Sequence, residues 1–201
     1  MRLPVFATVS VMSERRDDEV TRLALAAKAG DRSAATAFIA ATSADVRRFL
    51  GHLSDPGEVD DLSQETYLRA MGALARFDAR ASARTWLLSI ARRVAADHVR
   101  SAMRRPRQST APDWAEATHS RDVVTFFDEG VVLRRLLADL TPPFREAFVA
   151  TQVLGLSYAE AAEICDCPVG TIRSRVARAR DELIAALDDE ADGASSDRAA
   201  T

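Results

Sequence analysis

Between Ser157 and Arg180 the chain runs SYAEAAEICDCPVGTIRSRVARAR, a pattern that fits two short helices broken by a turn, the second fringed with arginine. Ser157 followed by Glu160 is a capping-box pair, in which each residue satisfies a free backbone group of the other. Ala161, Ala162 and Ile164 form the inner side of this first helix. Asp166 stands where the chain must turn, and aspartate tolerates the left-handed conformation such turns often need. Pro168 suits the first turn of the next helix, where a missing N–H leaves nothing unsatisfied. Ile172, Val176, Ala179 and Leu183 then recur at spacings of four, three and four, one stripe of a helix. Arg173, Ser174, Arg175, Ala177, Arg178 and Arg180 fall off that stripe. A slim helix with small residues between arginines fits a major groove, where arginine bonds guanine edges through a bidentate fork or grips phosphate. An ordinary amphipathic helix with a solvated basic face has the same spacing, so the rest of the chain must decide between them.

Charge is unevenly distributed. A net charge of −3 over 201 residues argues against a protein that coats nucleic acid indiscriminately. Between Arg80 and Arg107, however, eight arginines stand against the single acid Asp97, whereas Asp55 to Glu65 holds five acids and no base. Such a division suits one face for a polyanion and another for a basic partner. The two cysteines form a C-x-C at Cys165 and Cys167, while His52, His98 and His119 are scattered. Neither a metal nor a cofactor is expected from that set: Cys165 reads as a small buried thiol and Cys167 as a turn residue. Free thiols suit a reducing cytoplasm, and no apolar run approaches membrane-spanning length, so a cytoplasmic location without membrane insertion is expected.

Helical periodicity continues through most of the chain. Asp17 to Ala29 reads as a helix stopping at Gly30-Asp31, and Ser33 begins another that carries Phe38, Ile39, Val46, Phe49 and Leu50 to the Asp55-Pro56-Gly57 turn. A third, from about Glu58 to Leu74, opens with Glu58, Asp60 and Asp61 at the positive end of its dipole. After the Phe77–Ser82 loop, a long helix places Leu87, Ile90, Ala91 and Val94 on one stripe, with Arg84, Arg92, Arg93 and Arg100 assigned outside it. Further helices follow at about Asp128 to Asp139 and Pro142 to Leu154, the latter with Thr141 as cap and Pro142 in its first turn. The expected architecture is all-α: two small helical domains, 17–102 and 128–187, joined by a flexible linker over 103–127. Residues 1–16 are expected to be a leader, either disordered or, given a second possible start at Met12, not translated. Residues 188–201 read as a disordered acidic tail.

Three strings occur in order: Asp60-Asp61-Leu62-Ser63-Gln64-Glu65-Thr66, then Thr85-Trp86-Leu87 with Ile90-Ala91-Arg92, then Gly170-Thr171-Ile172-Arg173-Ser174-Arg175. In these residues, and from about Asp18 to Leu187, the chain resembles the extracytoplasmic-function (group IV) sigma factors of bacterial RNA polymerase. The resemblance implies a sigma region 2 bundle in 17–102 and a sigma region 4 helix-turn-helix in 128–187. It implies an alternative sigma factor, not an enzyme, that binds core RNA polymerase, recognises minus-thirty-five and minus-ten promoter elements and promotes DNA melting.

Site residues follow from the same resemblance. Asp60, Asp61, Leu62, Gln64, Glu65 and Arg69 would dock on the clamp helices of the largest polymerase subunit, the polar groups meeting a basic helix and Leu62, with Leu68, packing against it. Region 4 would meet the beta flap. Phe77, Arg80, Arg84, Trp86, Arg92, Arg93 and Arg100 fall in the segment for minus-ten recognition, where extruded bases are captured and phosphates held by cations. Trp86 fits core packing against Leu62 or Ile90 better than base stacking, and Asp97 and Arg100 are spaced to pair along one helix. Many relatives have Asn where Arg93 stands; arginine only donates while an amide also accepts, so the minus-ten base preference does not carry over. For the minus-thirty-five element, Arg173, Ser174, Ala177 and Arg178 would enter the groove, with Thr171 and Arg175 nearer the backbone. Where Ala177 stands relatives often have an aromatic or longer residue, so apolar contact there should be weaker or should favour a thymine methyl. The resemblance also places the linker near the polymerase active-site channel and implies an anti-sigma factor as a partner.

Two other classes fit parts of the pattern. A dimeric regulator of the response-regulator output type shares the reading helix, but the amino-terminal half lacks βα alternation and a phosphoacceptor pattern. An enzyme built on His98 and Asp97 lacks a nucleophile or phosphate loop, and adjacent residues on a helix point in different directions.

Overall fold

The computed structural model describes residues 5–104 and 129–199. The chain divides into two compact units, Met1–Val99 and Arg100–Thr201. Among the described residues both are helical, and no strand occurs.

The first unit is built on α1 (Val5–Lys28), α2 (Arg32–Leu53), α3 (Val59–Ala73) and α4 (Ala83–Arg104). Gly30, at φ +101°, ends the first helical run, and Asp31 caps α2 by accepting from Ala34 N at 3.0 Å. Short 3₁₀ turns, Pro56–Glu58 and Leu74–Arg76, lead into and out of α3. Asp60 and Asp61 occupy the first turn of α3, where carboxylates oppose the helix dipole. Phe38, Phe49, Leu50, Leu87 and Leu88 fill the core. The stripe expected on α4 is buried as read: Leu87, Ile90, Ala91 and Val94 all face inward.

The second unit contains α5 (Glu129–Asp139), α6 (Pro142–Phe148), α7 (Tyr158–Cys165) and α8 (Val169–Ala199). Thr141 precedes α6, but its side chain makes no capping bond; its carbonyl accepts from Phe144 N and Arg145 N, both at 3.0 Å. The expected single helix to Leu154 instead widens into a π turn over Val149–Val153, with Leu154 N donating to Val149 O at 3.0 Å. Arg145 reaches back across that end of the unit, its Nη2 donating to the Ala138 and Leu140 carbonyls at the end of α5. Leu137, Ala147, Val149, Ile164, Ile172 and Ala179 form the core.

Helix limits differ from the sequence reading at both ends. The first helix begins at Val5 and absorbs most of the leader segment, because no glycine or proline interrupts the chain from there to Ala29. The last helix continues to Ala199 through the alanine- and acid-rich stretch read as a tail. Apart from Met103 and Arg104, which close α4, the expected 103–127 linker lies outside the described residues.

Candidate nucleic-acid interface

The two-helix pattern folds as its local chemistry dictates. Ser157 Oγ accepts from Glu160 N at 3.2 Å, and Ser157 N donates to Glu160 Oε2 at 2.8 Å, which completes the capping box. Asp166 sits in the left-handed region at φ 51°, ψ 54°, and closes α7. Pro168 stands one place before α8, its carbonyl accepting from Thr171 N at 2.8 Å and Ile172 N at 3.3 Å. Ile172, Val176, Ala179 and Leu183 are buried, which turns Arg173, Ser174, Ala177 and Arg178 outward. Neither Arg173 nor Arg178 makes an ion pair among the described residues. The flanking positions are anchored: Arg175 Nη1 lies 3.5 Å from Cys167 Sγ, and Arg180 Nη2 donates to Gln152 Oε1 at 2.7 Å. Thr171 is half-buried, its carbonyl accepting from Ser174 Oγ at 2.9 Å. Cys165 is buried and Cys167 half-buried, both as free thiols.

On α3 the helix phase divides the docking set. Asp60, Asp61, Gln64 and Arg69 are exposed and Glu65 half-buried, whereas Leu62 is 6% exposed, in line with the buried Val59, Ser63, Thr66 and Ala70. Leu62 is therefore a core residue, and the expectation that it meets a partner is corrected. Leu68, on the opposite side and 69% exposed, is the large apolar residue that this outer face offers. Three of the polar groups are already engaged. Asp60 pairs with Arg47 of α2, and Arg69 bridges Glu65 and Asp97, each at 2.7 Å, which ties α3 to α4. Asp97, then Glu65, raise the Arg69 pKa above its usual value. Asp61 makes no ion pair among the described residues.

The Phe77–Ser82 loop and α4 form the third set. Arg80 and Arg93 are exposed, Arg92 half-buried, and Arg100 exposed. Arg80 pairs with Asp78 at 2.9 Å. Two residues expected at the DNA surface lie inside. Arg84 is 5% exposed, its Nε donating to Asp45 Oδ2 of α2 at 2.7 Å, so its charge neutralises a buried carboxylate and does not join an outer cationic wall. Phe77 is 3% exposed, its ring tilted against Trp86 at 4.9 Å between centroids. Trp86 is half-buried, and the ring it meets is Phe77. His98 Nε2 faces Glu58 at 2.8 Å, and Asp97 accepts from Arg69 at 2.7 Å. Among the described residues no group of three acids, histidines or cysteines is gathered to hold a metal, and no helix is long and apolar enough to cross a membrane.

Residues 38–105 match the family described as Sigma-70 region 2, and residues 131–183 the family described as Sigma-70, region 4. The probable RNA polymerase sigma-C factor of Mycobacterium bovis is 54% identical over 169 residues, covering 84% of this chain and 91% of that one. The chain belongs to the extracytoplasmic-function sigma factors. The sigma-E factor of Haemophilus influenzae is 31% identical, with 77% of this chain and 87% of that one covered. Among solved structures, the sigma factor RpoE of Bartonella quintana, in complex with the anti-sigma factor NepR, matches with TM-score 0.62 and 27% identity over 75% of this chain and 94% of that one. CnrH in complex with the cytosolic domain of CnrY matches in fold with TM-score 0.66 and 24% identity over 85% and 98% of the two chains. As a sigma factor the chain acts in transcription initiation, with RNA polymerase and DNA.

Within this sigma factor, the inward Arg84 and the outward Leu68 were discoverable from helix phase, whereas Phe77, in extended backbone after the Leu74–Arg76 turn, was not. Arg84 lies three and seven residues before Leu87 and Ala91, on the buried stripe, and only its charge argues for the outside.

Proposed function

We propose that this sigma factor directs core RNA polymerase to a specific promoter class through three separate faces. The outward side of α8, with Arg173, Ser174, Ala177 and Arg178, reads the minus-thirty-five element, and Thr171 and Arg175 steady it near the backbone. The observation that carries this reading is that Arg173 and Arg178, neither of them ion-paired among the described residues, stand on the outer face of a helix whose opposite stripe is buried. The Phe77–Ser82 loop, with Arg80 and the α4 residues Arg92, Arg93 and Arg100, engages the minus-ten element and helps to open it. Opening costs unstacking, which captured bases and neutralised phosphates offset. In this division Arg84, Phe77 and Trp86 support the loop from inside.

Polymerase docking falls to the outer face of α3: Asp60, Asp61, Gln64, Glu65 and Arg69 around an apolar Leu68. A basic helical partner with an apolar seat complements that arrangement, as the clamp helices would, and region 4 meets the beta flap. The assignment of region 2 to 17–102 and region 4 to 128–187 belongs to the same reading, as does a cytoplasmic location beside the chromosome. An anti-sigma factor is a further partner, by analogy with the NepR complex of the RpoE relative.

Run-off transcription from a randomised promoter library tests the whole, using core polymerase with and without the full chain. Transcripts from a subset of promoters sharing two spaced elements, only when the protein is present, are the expected result. Binding of an operator by the protein alone, with no restored initiation, would instead identify a free-standing regulator.

A further inference from the structure

We propose that Lys28 and Thr21, both on α1, are positioning residues that hold the Phe77–Ser82 loop in its base-reading shape. The proposal rests on the reading of that loop as the minus-ten contact. Ala79, within the loop, lies at φ +58°, a left-handed conformation that is unfavourable for a residue with a Cβ. Strain of this kind persists only where the surroundings over-determine the backbone. Here α1 supplies much of the restraint. At the loop's entrance Lys28 Nζ donates to the Phe77 carbonyl at 2.7 Å, and at its exit Thr21 Oγ1 accepts from Ala83 N at 3.0 Å. The second bond satisfies one of the donors that the start of α4 leaves free. Inside these two ties, Ser82 Oγ accepts from Thr85 N at 3.1 Å and Asp78 Oδ1 from Arg80 N at 3.3 Å.

The choice of lysine is itself informative. Lys28 is the chain's only lysine among 27 basic residues. An ammonium is a compact charge with rotatable donors and suits a single carbonyl oxygen, whereas the guanidinium fork suits a planar bidentate acceptor. Neither Lys28 nor Thr21 belongs to the sets assigned to DNA or polymerase, so their bonds act on the promoter through the loop. A loop already ordered loses less conformational freedom when a base enters it, and that saving appears as faster or tighter capture.

The test reconstitutes holoenzyme from core polymerase and the full chain carrying Lys28→Met or Thr21→Val, on a promoter recovered from the run-off library. Two readouts matter: permanganate reactivity of minus-ten thymines over time, and affinity for a fork-junction DNA whose minus-ten non-template strand is single. Each variant should weaken both by roughly three- to tenfold. Affinity for core polymerase and for duplex minus-thirty-five DNA should stay at the parent value, which a general loss of structure would not allow. Thr21→Ser keeps the accepting oxygen and should restore the parent opening rate. Parent-like opening by both Lys28→Met and Thr21→Val, alongside slowed opening by Asp78→Ala and Arg80→Ala, would overturn the clasp while leaving the loop as base contact. If Asp78→Ala and Arg80→Ala also open DNA like the parent, the loop reading and the clasp fall together.

Discussion

Replacing Asp45 by alanine removes the carboxylate that neutralises Arg84 in the interior of the first unit. The bond between them is 2.7 Å, with the two side chains 8% and 6% exposed. Removing one partner of a buried pair costs about 3–5 kcal/mol, because the remaining charge is left uncompensated. The lower end applies to Asp45→Ala, since Asp17 Oδ1 remains 3.9 Å from Arg84 Nη1. It applies to Arg84→Met as well, since Arg16 Nη2 remains 3.3 Å from Asp45 Oδ2. Each single change is thus expected to cost about 3 kcal/mol, which in a unit of this size lowers the melting midpoint by roughly 12–24 °C. The double change Asp45→Leu with Arg84→Met removes both charges and fills their volume with apolar groups. It should cost clearly less than the sum of the two single changes, the remainder reflecting Asp17 and Arg16, which each lose a neighbour. Thermal and urea melts of the full chain, followed by far-ultraviolet circular dichroism, measure all three. Promoter binding supplies a second check: the salt dependence of affinity should be unchanged in the folded double variant, because Arg84 does not reach phosphate. Single variants as stable as the parent, a double variant that loses the sum of both, or a salt slope lowered by about one unit would refute the structural role.

Arg173→Ala should weaken promoter binding by roughly 1–3 kcal/mol and relax preference at one minus-thirty-five base, measured against a panel of single-base promoter variants. An equal loss on every sequence would make Arg173 a phosphate contact. Tyr67 gives a pH dependence: burial raises its phenol above the ordinary 10.0, the charge of Asp45 adds to that, and the Thr42 bond opposes it. A pKa higher in the folded state means that this contribution is complete below pH 10 and is lost as pH rises through the folded value. Stability should therefore fall as pH rises from 10.0 toward the folded value, and Tyr67→Phe should flatten the decline in urea melts taken across the range.

The helix-turn-helix was legible in the sequence because its determinants are local. Ser157 and Glu160 are three residues apart, Asp166 is the turn itself, and the Ile172–Leu183 stripe needs only helix phase. Arg84 has the look of a surface residue in the sequence because its partner, Asp45, stands 39 residues away and belongs to another helix. Charge suggested exposure, whereas phase placed it beside Leu87, Leu88 and Ala91. Leu62 hides in the same way: its string is one acidic block in the sequence, although a helix turns alternate parts of it inward and outward. Lys28 carried no local signal at all, since the oxygen it holds belongs to Phe77, 49 residues on.

The π turn at Val149–Val153 carries a lesson for comparing homologues. Such a widened turn holds one residue more than an α-helical path would need, and each residue along a helix corresponds to about 100° of rotation. Deleting that extra residue would draw the turn back to α-helical pitch while its flanks kept their phase, so Ala147, now wholly enclosed, would stay inside. A cousin with a one-residue gap at this point would keep both its arginine-bearing reader and the seat beneath it.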